Sequence, residues 1–218
     1  MKIVALVPMK LNNSRLPGKN LLSFDNGRPL CYYVLTTLLQ VKQISEVYVY
    51  CSDEKVKEYL PVGVRYLKRS ATLDQDTTKI NEVISSFSKE VEADIYVMTH
   101  VTSPFISAAS IEKGLQAVMD GGYDSALAVQ RLSTFLWKDG KPFNYSLESI
   151  PRTQDLSPIY AETSGFYIFR KNVIAELGRR IGNRPYLVEV GQIEAVDVDE
   201  KEDFLIANAI YNQLIRRE

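Results

Sequence analysis

Short apolar runs alternate with longer amphipathic segments along the first half of the chain. Each short run is nearly all apolar, which is typical of a buried strand, and each longer segment keeps its apolar residues on one helical face. This alternation predicts a largely parallel sheet with helices on both faces, and therefore an α/β fold. The strand and helix pairs cover residues 3–7 and 29–41, 47–51 and 54–60, and 95–100 and 108–119.

The same pattern predicts two more covering helices, over residues 77–91 and 201–215. Apolar side chains recur there at the three- and four-residue spacing of a helix face. Strand-like runs at 126–129 and 165–169 complete the sheet. The helical positions are Ile80, Val83, Ile84, Phe87 and Val91 in the first helix, and Phe204, Leu205, Asn208, Tyr211 and Leu214 in the second.

An irregular segment interrupts this alternation between residues 133 and 158, where Trp137, Gly140 and several prolines break any sustained period. A long insertion of this kind in a compact sheet usually covers a site or reaches a partner subunit. We therefore expect a single domain over residues 1–218, with 133–163 as an inserted arm and dimerisation region.

Composition narrows the functional class. Twenty-six basic and 27 acidic residues give a net charge of -1, with no long run of one sign, so we expect no binding to duplex nucleic acid. No apolar stretch approaches the ~20 residues of a membrane span, and the apolar run at the start is too short for a signal peptide. Cys31 and Cys51 lie in apolar stretches, which suits reduced thiols and a cytoplasmic location.

Candidate chemistry is expected in the loops after the strands, because ligands of open parallel sheets bind at the carboxyl ends of the strands. The loop over residues 10–20 contains Lys10, Arg15, Lys19 and a glycine. Backbone N–H groups and fixed cations together can cradle a triphosphate. A solvated basic turn explains the same residues equally well, because the spacing is not that of a P-loop.

Near the other end, Asp197 and Asp199 stand two residues apart in an apolar setting. On a strand both carboxylates would project from one face, with Val196 and Val198 in the core, and would suit Mg2+. Asp199 is also placed to cap a helix that starts near Lys201, and spacing alone favours that interpretation.

Two further clusters carry polar groups. His100 precedes Thr102, Ser103 and Pro104, and is the only histidine in the chain. A general base is one interpretation, and a hydrogen-bonded structural histidine is the commoner one. Residues 152–155 and 160–165 bring polar and aromatic groups to the border of the irregular segment, where an ordinary surface loop is the alternative.

Taken in order, these segments resemble the CMP-sialate synthetases, also called acylneuraminate cytidylyltransferases, across nearly the whole chain. Each marker is weak by itself, but five in the same order make a specific pattern. The markers are Pro17-Gly18-Lys19-Asn20, Arg69 with Leu73 and Asp76, Thr102-Ser103-Pro104, Arg152 to Asp155 ahead of a Gly-x-x-Tyr-Ile-like strand, and Asp197-Val198-Asp199 with Asp203-Phe204.

The resemblance implies a three-layer nucleotide-diphospho-sugar transferase fold, GT-A-like and Rossmann-like, with a mainly parallel mixed sheet. It also implies Mg2+ as cofactor and a homodimer in which an arm reaches over the partner's sugar site. The implied reaction joins CMP from CTP to the anomeric hydroxyl of a sialic-acid-like 2-keto sugar acid and releases pyrophosphate.

The resemblance assigns roles to particular residues. Lys19, Asp197 and Asp199 would be catalytic, with the two aspartates as the Mg2+ ligands. CTP would be bound by Lys10, Asn12, Arg15, Lys19, Asn20, Arg69, Asp76 and Thr78. The sugar acid would be bound by His100, Thr102, Ser103, Arg152, Gln154, Tyr160 and Glu162.

Three departures from the family pattern keep alternatives open. Lys10 stands where the family has arginine, the segment 14–20 is one residue shorter, and His100 replaces a glutamine that faces the sugar. The stretch from Arg15 to Lys19 is closer to the CMP-Kdo synthetases, so a CMP-Kdo or other sugar-nucleotide synthetase is the main alternative. A non-catalytic nucleotide-binding protein is the alternative from another class.

Overall fold

The computed structural model describes residues 1–13 and 15–215, and within them a twisted sheet of seven strands forms the middle layer of three. The strands are β1 Ile3–Met9, β2 Glu46–Cys51, β3 Val64–Lys68, β4 Ile95–Thr99, β5 Ser125–Leu132, β6 Trp137–Lys138, β7 Lys141–Pro142, β8 Ile159–Arg170 and β9 Pro185–Glu189. Of these, β6 and β7 form a small hairpin that is separate from the seven-stranded sheet. The helices are α1 Leu30–Gln40, α2 Ile80–Glu90, α3 Ala108–Met119, α4 Lys171–Leu177 and α5 Lys201–Ile210, with short 3-10 turns at 19–21, 54–59, 71–74 and 153–155 and a π turn at 211–215.

The strand order is β3-β2-β1-β4-β8-β5-β9. Within this sheet β8 alone runs antiparallel, since it pairs antiparallel with both β4 and β5 and the other pairs are parallel. The carboxyl ends of six strands and the start of β8 therefore share one edge, where α/β proteins place their ligands. The expected α/β fold with a mainly parallel mixed sheet is confirmed.

Two apolar cores lie on opposite faces of the sheet, because successive side chains of a strand point to opposite sides. Along β1, Ala5 and Val7 join the core beneath α1 and α3, while Val4 and Leu6 join the core beneath α2 and α4. Burial on both faces explains why β1 is a continuous apolar run rather than an alternating one.

Local signals set several helix boundaries in the structure. The α3 helix starts after Ser107, whose Oγ accepts the backbone N–H of Ser110 at 3.1 Å. The α4 helix ends at Gly178, which takes the left-handed conformation with φ 63° that glycine adopts without strain. Both cysteines are buried and free. Within the described residues, no helix has the length and apolar character needed to cross a bilayer.

Several details differ from the sequence predictions. Residues 54–59 form a 3-10 helix instead of an α-helix, and β3, α4 and β9 were not predicted. Over α5 and the π turn that follows it, the buried face is Ala207, Tyr211 and the partly buried Phe204, while Leu205 and Leu214 are 58% and 51% exposed. Aromatic contacts decided this face, because Phe204 and Tyr211 both pack on the ring of Phe24.

The predicted irregular segment is irregular in the structure. Its ordered parts are the two-residue strands β6 and β7 and the 3-10 turn Thr153–Asp155. Residues 159–163, which the predicted arm included, belong to β8 and pair with β5, with Ala161 opposite Gln130. In the structure the arm is therefore residues 133–158, which end just before β8.

Candidate active site

A cleft of about 390 Å³ opens at the carboxyl edge of the sheet. Its walls are the loops that follow β1, β3 and β4 and the chain just before α5, so segments distant in sequence meet there. Most of the predicted site residues line it. They are Lys10, Arg15, Lys19, Asn20, Arg69, Asp76, Thr78, His100, Thr102, Asp197 and Asp199.

The loop after β1 has a defined fold. Gly18 takes the left-handed conformation with φ 66°, and the backbone N–H of Lys19 donates to Leu16 O at 3.1 Å. The side chain of Asn20 donates from Nδ2 to Lys10 O at 2.9 Å and so ties the end of the loop to its beginning. These bonds favour a structured binding loop over a solvated basic turn.

The loop cations meet the acids from the far end of the chain. Lys19 is only 8% exposed, and its Nζ donates to Asp199 Oδ1 at 2.7 Å and to Val198 O at 3.1 Å. Arg15 Nη1 lies 2.8 Å from Asp199 Oδ2. Burial raises the pKa of the Asp199 carboxyl, but the bond from Lys19 and the charges of Lys19 and Arg15 outweigh it and lower that pKa overall. The carboxylate and the cations are therefore held together as ions.

The segment carrying the two aspartates is not a strand, which corrects the prediction. The backbone N–H of Val198 donates to Thr102 O at 2.8 Å, which binds the segment to the loop after β4. Val198 is fully buried, while Asp197 and Asp199 both line the cleft. The two acids face the cleft while the valine between them is buried, so their predicted facing is correct although the predicted element is not.

The capping role predicted for Asp199 is wrong. Glu200 is the N-cap of α5, and the carboxylate of Asp203 accepts the backbone N–H groups of Asp199 at 3.0 Å and Glu200 at 2.8 Å. Asp203, three residues after the cap, therefore serves the helix start and also fixes the backbone of Asp199. This leaves the side chain of Asp199 free to pair with Lys19 and Arg15.

The acids also fit a bound Mg2+. Asp197 Oδ1 is buried and has no hydrogen-bond partner in the described part of the chain, which is unusual for a carboxylate oxygen. No group of three or more His, Cys, Asp or Glu side chains forms a metal cluster within residues 1–13 and 15–215. Two carboxylates, one with an unsatisfied oxygen, match a cation that completes its shell with phosphates and water.

Lys10 and Arg69 also line the cleft. Lys10 Nζ lies 2.7 Å from Asp76 Oδ1, an exposed carboxylate whose pKa this bond lowers. Arg69 is 5% exposed and pairs with Asp74, which also accepts a bond from Ser52, while Arg69 Nε is buried without a partner. Asp74 and Ser52 were not predicted, because neither forms part of a recognisable motif. They hold Arg69 in place at the cleft.

His100 lies at the base of the cleft. Burial, followed by the charges of Arg180 and Lys19, lowers the pKa of its imidazole to about 4, so the ring is neutral at pH 7. Its Nε2 lies 3.4 Å from Arg180 Nη1, a neighbour that sequence reasoning missed. Thr102 lines the cleft, whereas Ser103 is 1% exposed in the turn that follows. A neutral imidazole at this position suits hydrogen bonding better than charge pairing.

The remaining predicted residues lie outside the cleft. Asn12 is exposed on the loop, and Gln154 and Tyr160 are exposed near the arm. Arg152 pairs with Asp155 through bonds of 2.7 and 3.1 Å. Glu162 lines a second, neighbouring cavity of about 410 Å³. Their predicted contacts with a sugar stay predictions.

Comparison with known proteins identifies the family of the chain. The cytidylyltransferase family model matches residues 4–191. N-acylneuraminate cytidylyltransferase A from Danio rerio is 27% identical, over 94% of this chain and 50% of its own length. N-acylneuraminate cytidylyltransferase from Streptococcus agalactiae serotype V is 22% identical, over 100% of this chain and 56% of its own length. The 3-deoxy-manno-octulosonate cytidylyltransferase of Escherichia coli is 33% identical over 60% of this chain and 50% of its own length. The chain thus spans about half the length of these relatives.

Solved structures show the same fold. A CMP:2-keto-3-deoxy-manno-octonic acid synthetase complexed with CTP has a TM-score of 0.72 at 21% identity, covering 98% of this chain and 99% of that one. A 4-diphosphocytidyl-2C-methyl-D-erythritol synthase from Anaerococcus prevotii has a TM-score of 0.69 at 14% identity, covering 97% and 96%. With the family model spanning most of the sequence, this chain belongs to the cytidylyltransferase family.

Proposed function

We propose that this protein transfers CMP from CTP to the anomeric hydroxyl of a sialic-acid-like 2-keto sugar acid and releases pyrophosphate. One observation supports this above the others: Lys19 and Arg15 meet Asp199 at 2.7 and 2.8 Å in a cleft that Asp197 also lines. A triphosphate needs cations for its charge and a divalent metal for its oxygens, and this cleft provides groups for both.

In the proposed complex, Lys10, Arg15 and Lys19 balance the charge of the triphosphate. Arg15 is 59% exposed, so its guanidinium can turn from Asp199 toward phosphate oxygens at little cost. Lys19 is buried and held by two acceptors, so it provides a fixed charge. Asp197 and Asp199 would hold Mg2+, which stabilises negative charge on the phosphate oxygens and acidifies a hydroxyl.

The proposed reaction is a single displacement. The hydroxyl oxygen forms a bond to the α-phosphorus, the bond from that phosphorus to the bridging oxygen of the β-phosphate breaks, and pyrophosphate leaves with the electron pair. The hydroxyl proton passes to solvent. The side chains of the cleft bind and orient the reactants and stabilise charge, and no covalent bond to the protein is required.

The relatives favour a sialic-acid-like acceptor over Kdo. The N-acylneuraminate enzymes match over 94% and 100% of this chain, and so include its second half, where the predicted sugar residues lie. The Escherichia coli Kdo enzyme is more identical, at 33%, but over only 60% of the chain. Kdo is the second candidate, supported also by the stretch from Arg15 to Lys19.

We further propose a cytoplasmic homodimer in which the arm reaches the partner's sugar site. Four large apolar side chains of the arm are between 57% and 63% exposed, more than a monomer usually leaves together on one segment. They are Trp137, Phe143, Leu147 and Ile150. Arg152, Gln154 and Tyr160 would then contact the sugar bound by the other subunit.

Pyrophosphate release tests the proposed function. The purified protein is incubated with CTP and Mg2+ and with, in turn, N-acetylneuraminic acid, Kdo and a set of sugar 1-phosphates. We expect the highest kcat/KM with N-acetylneuraminic acid. Higher kcat/KM with Kdo would select the second candidate, and turnover confined to sugar 1-phosphates would refute both. An Asp199→Asn variant, prepared in the same way, controls for contaminating activity.

A further inference from the structure

A second cavity of about 410 Å³ adjoins the nucleotide cleft, and the two share Ile80 in their walls. His100 lines the cleft, Arg180 lines the second cavity, and the two side chains touch at 3.4 Å, so they form the partition between the spaces. The second cavity has both polar and apolar walls. Its lining residues are Ile80, Asn81, Glu162, Arg179, Arg180, Ile181 and Gly182.

The turn that carries Arg180 is anchored to the sheet. The backbone N–H of Gly182 donates to the buried Ser125 Oγ at 2.8 Å, and that of Asn183 donates to Asp124 Oδ2 at 2.7 Å. Gly182 lies so close to the Asp124 carboxylate that a Cβ would collide with it. Several specific contacts therefore fix the position of this turn.

The guanidinium of Arg180 is held over the ring of Tyr167. Its carbon lies 3.5 Å from the centre of the buried Tyr167 ring, a close cation–π contact, and the side chain is only 19% exposed. The Tyr167 hydroxyl donates to Glu162 Oε1 at 2.5 Å, so the ring beneath the guanidinium is fixed as well. Arg180 is thus a preorganised cation that faces a cavity.

The guanidinium of Arg180 has N–H donors available for further hydrogen bonds. Its contacts with His100 Nε2 and Glu162 Oε1 are 3.4 and 3.3 Å long, whereas bidentate carboxylate pairs have bonds of about 2.7–2.9 Å. A guanidinium has five N–H donors in a planar fork. Independently, Asn81 Oδ1 is buried without a partner at the same cavity. The site therefore combines a cation able to grip a carboxylate with acceptors suited to hydroxyl groups.

We propose that Arg180 binds the carboxylate of the 2-keto sugar acid, and that the second cavity holds the body of that sugar, with Glu162 and Asn81 toward its hydroxyls. The inference rests on the proposed function and names the residue that selects its acceptor. In a 2-keto acid the carboxylate is attached directly to the anomeric carbon. The carboxylate-binding group must therefore stand close to the α-phosphate.

The position of Arg180 meets this requirement. His100 lines the nucleotide cleft together with Lys19 and Asp199 and also contacts Arg180, so this one side chain connects Arg180 to the cleft. His100, being neutral, adds no second cation there and positions Arg180 without competing for the anion. A sugar 1-phosphate has no carboxylate at this position and would not be selected.

Kinetics of an Arg180→Gln variant, with both substrates varied, test the proposal. We expect the KM for N-acetylneuraminic acid to rise roughly 10- to 100-fold, as for loss of a charged hydrogen-bonding group, with the KM for CTP within about twofold of wild type. Arg180→Lys should recover part of the loss, because it keeps the charge but not the fork. Arg184→Gln, an exposed arginine of the same turn, is the matched control and should leave both KM values unchanged.

The methyl ester of N-acetylneuraminic acid provides a second measurement that needs no variant. Wild type should use the free acid at least 10-fold better than the ester, and Arg180→Gln should lose most of this preference. An unchanged preference in a folded variant, or a rise in the KM for CTP instead, would overturn the proposal. If the variant does not fold, equal KM values of wild type for acid and ester would do so. Failure of the proposed function looks different, since wild type would then turn over no 2-keto acid.

Discussion

The cleft and the arm are built from opposite kinds of contact. In the cleft, Lys19 bonds to Asp199 across 180 positions and Lys10 to Asp76 across 66. In the arm, the bonds are local, as from Leu136 N–H to Asn144 Oδ1 at 2.8 Å and from Asn144 Nδ2 to Thr134 O at 2.9 Å. The cleft therefore exists only when the whole sheet has formed, whereas the arm is held by hydrogen bonds between residues close together in its own sequence.

Their surfaces differ in the same way. The cleft buries charge, with Lys19 and Arg69 at 8% and 5% exposure, and each is matched by a carboxylate. The arm exposes apolar area, with Trp137 at 59% and Ile150 at 63%. Paired buried ions can bind a charged ligand in place of their present partners, and exposed apolar groups can pack against another protein surface. Three predictions use this contrast, starting with the largest effect, and a fourth concerns the turn held by Asp124.

Asp197→Asn should separate activity from stability. It removes the negative charge of a carboxylate that has one buried oxygen without a partner, so the melting temperature should stay the same or rise. Turnover dependent on Mg2+ should fall about 10²- to 10³-fold, on the scale of other losses of transition-state charge stabilisation. Pyrophosphate release and thermal unfolding check the two parts. A large loss of stability with full turnover would make Asp197 a structural residue.

Lys19→Met should act mainly on the nucleotide. The change leaves Asp199 with Arg15 alone and removes the fixed cation, so the KM for CTP should rise about 10- to 100-fold while the KM for the sugar acid changes little. Steady-state kinetics with each substrate varied provides the measurement. Lys68→Met, at a lysine that is 69% exposed, is the matched control. A selective effect on the sugar would place Lys19 outside the phosphate-binding loop.

Trp137→Ser combined with Phe143→Ser should weaken self-association and leave the cleft intact. These side chains are 59% and 58% exposed, so their loss should cost the folded monomer little. If they form the core of a subunit interface, the dimer dissociation constant should rise about tenfold or more. Sedimentation velocity over a range of concentrations measures it. A wild-type protein that stays monomeric throughout would refute the dimer.

Asp124→Asn should have the smallest effect, on stability and its pH dependence. Burial raises the pKa of the Asp124 carboxyl, but bonds from the backbone of Arg184, the hydroxyl of Ser125 and the backbone of Asn183 outweigh it and lower that pKa overall. A lowered folded-state pKa stabilises the protein above the unfolded value near 4, and this stability is lost as the pH falls through the folded-state pKa.

Wild type should therefore be more stable than Asp124→Asn by about 1 kcal/mol at pH 7, and the two should converge as the pH falls below about 4. Urea unfolding at a series of pH values measures the difference. Asp120→Asn on the exposed end of α3 is the control and should follow wild type. A difference that grows on acidification would contradict the sign of this linkage.

The spacing of apolar residues predicted a helix or strand best where each residue had a single structural role. The run 108–119 matches α3 residue for residue, because its apolar residues keep helical spacing throughout. The same approach failed at β3, where no residue is fully buried and the pattern is that of an edge strand. It also failed at Asp199, where a good capping residue is employed in an ion pair and Asp203 takes over the helix start.

The sequence by itself determined the α/β class, the loop of cations and the two acids, because each of these depends on residue type and short spacing. Only the tertiary structure decided that Lys19 pairs with Asp199, that Asp74 holds Arg69 and that Arg180 stands beside His100. Contacts between residues so far apart in the chain leave no periodic signal. They arise because the sheet brings the ends of its strands to one edge. A buried charge there costs free energy unless it is paired, so charged side chains at that edge form ion pairs.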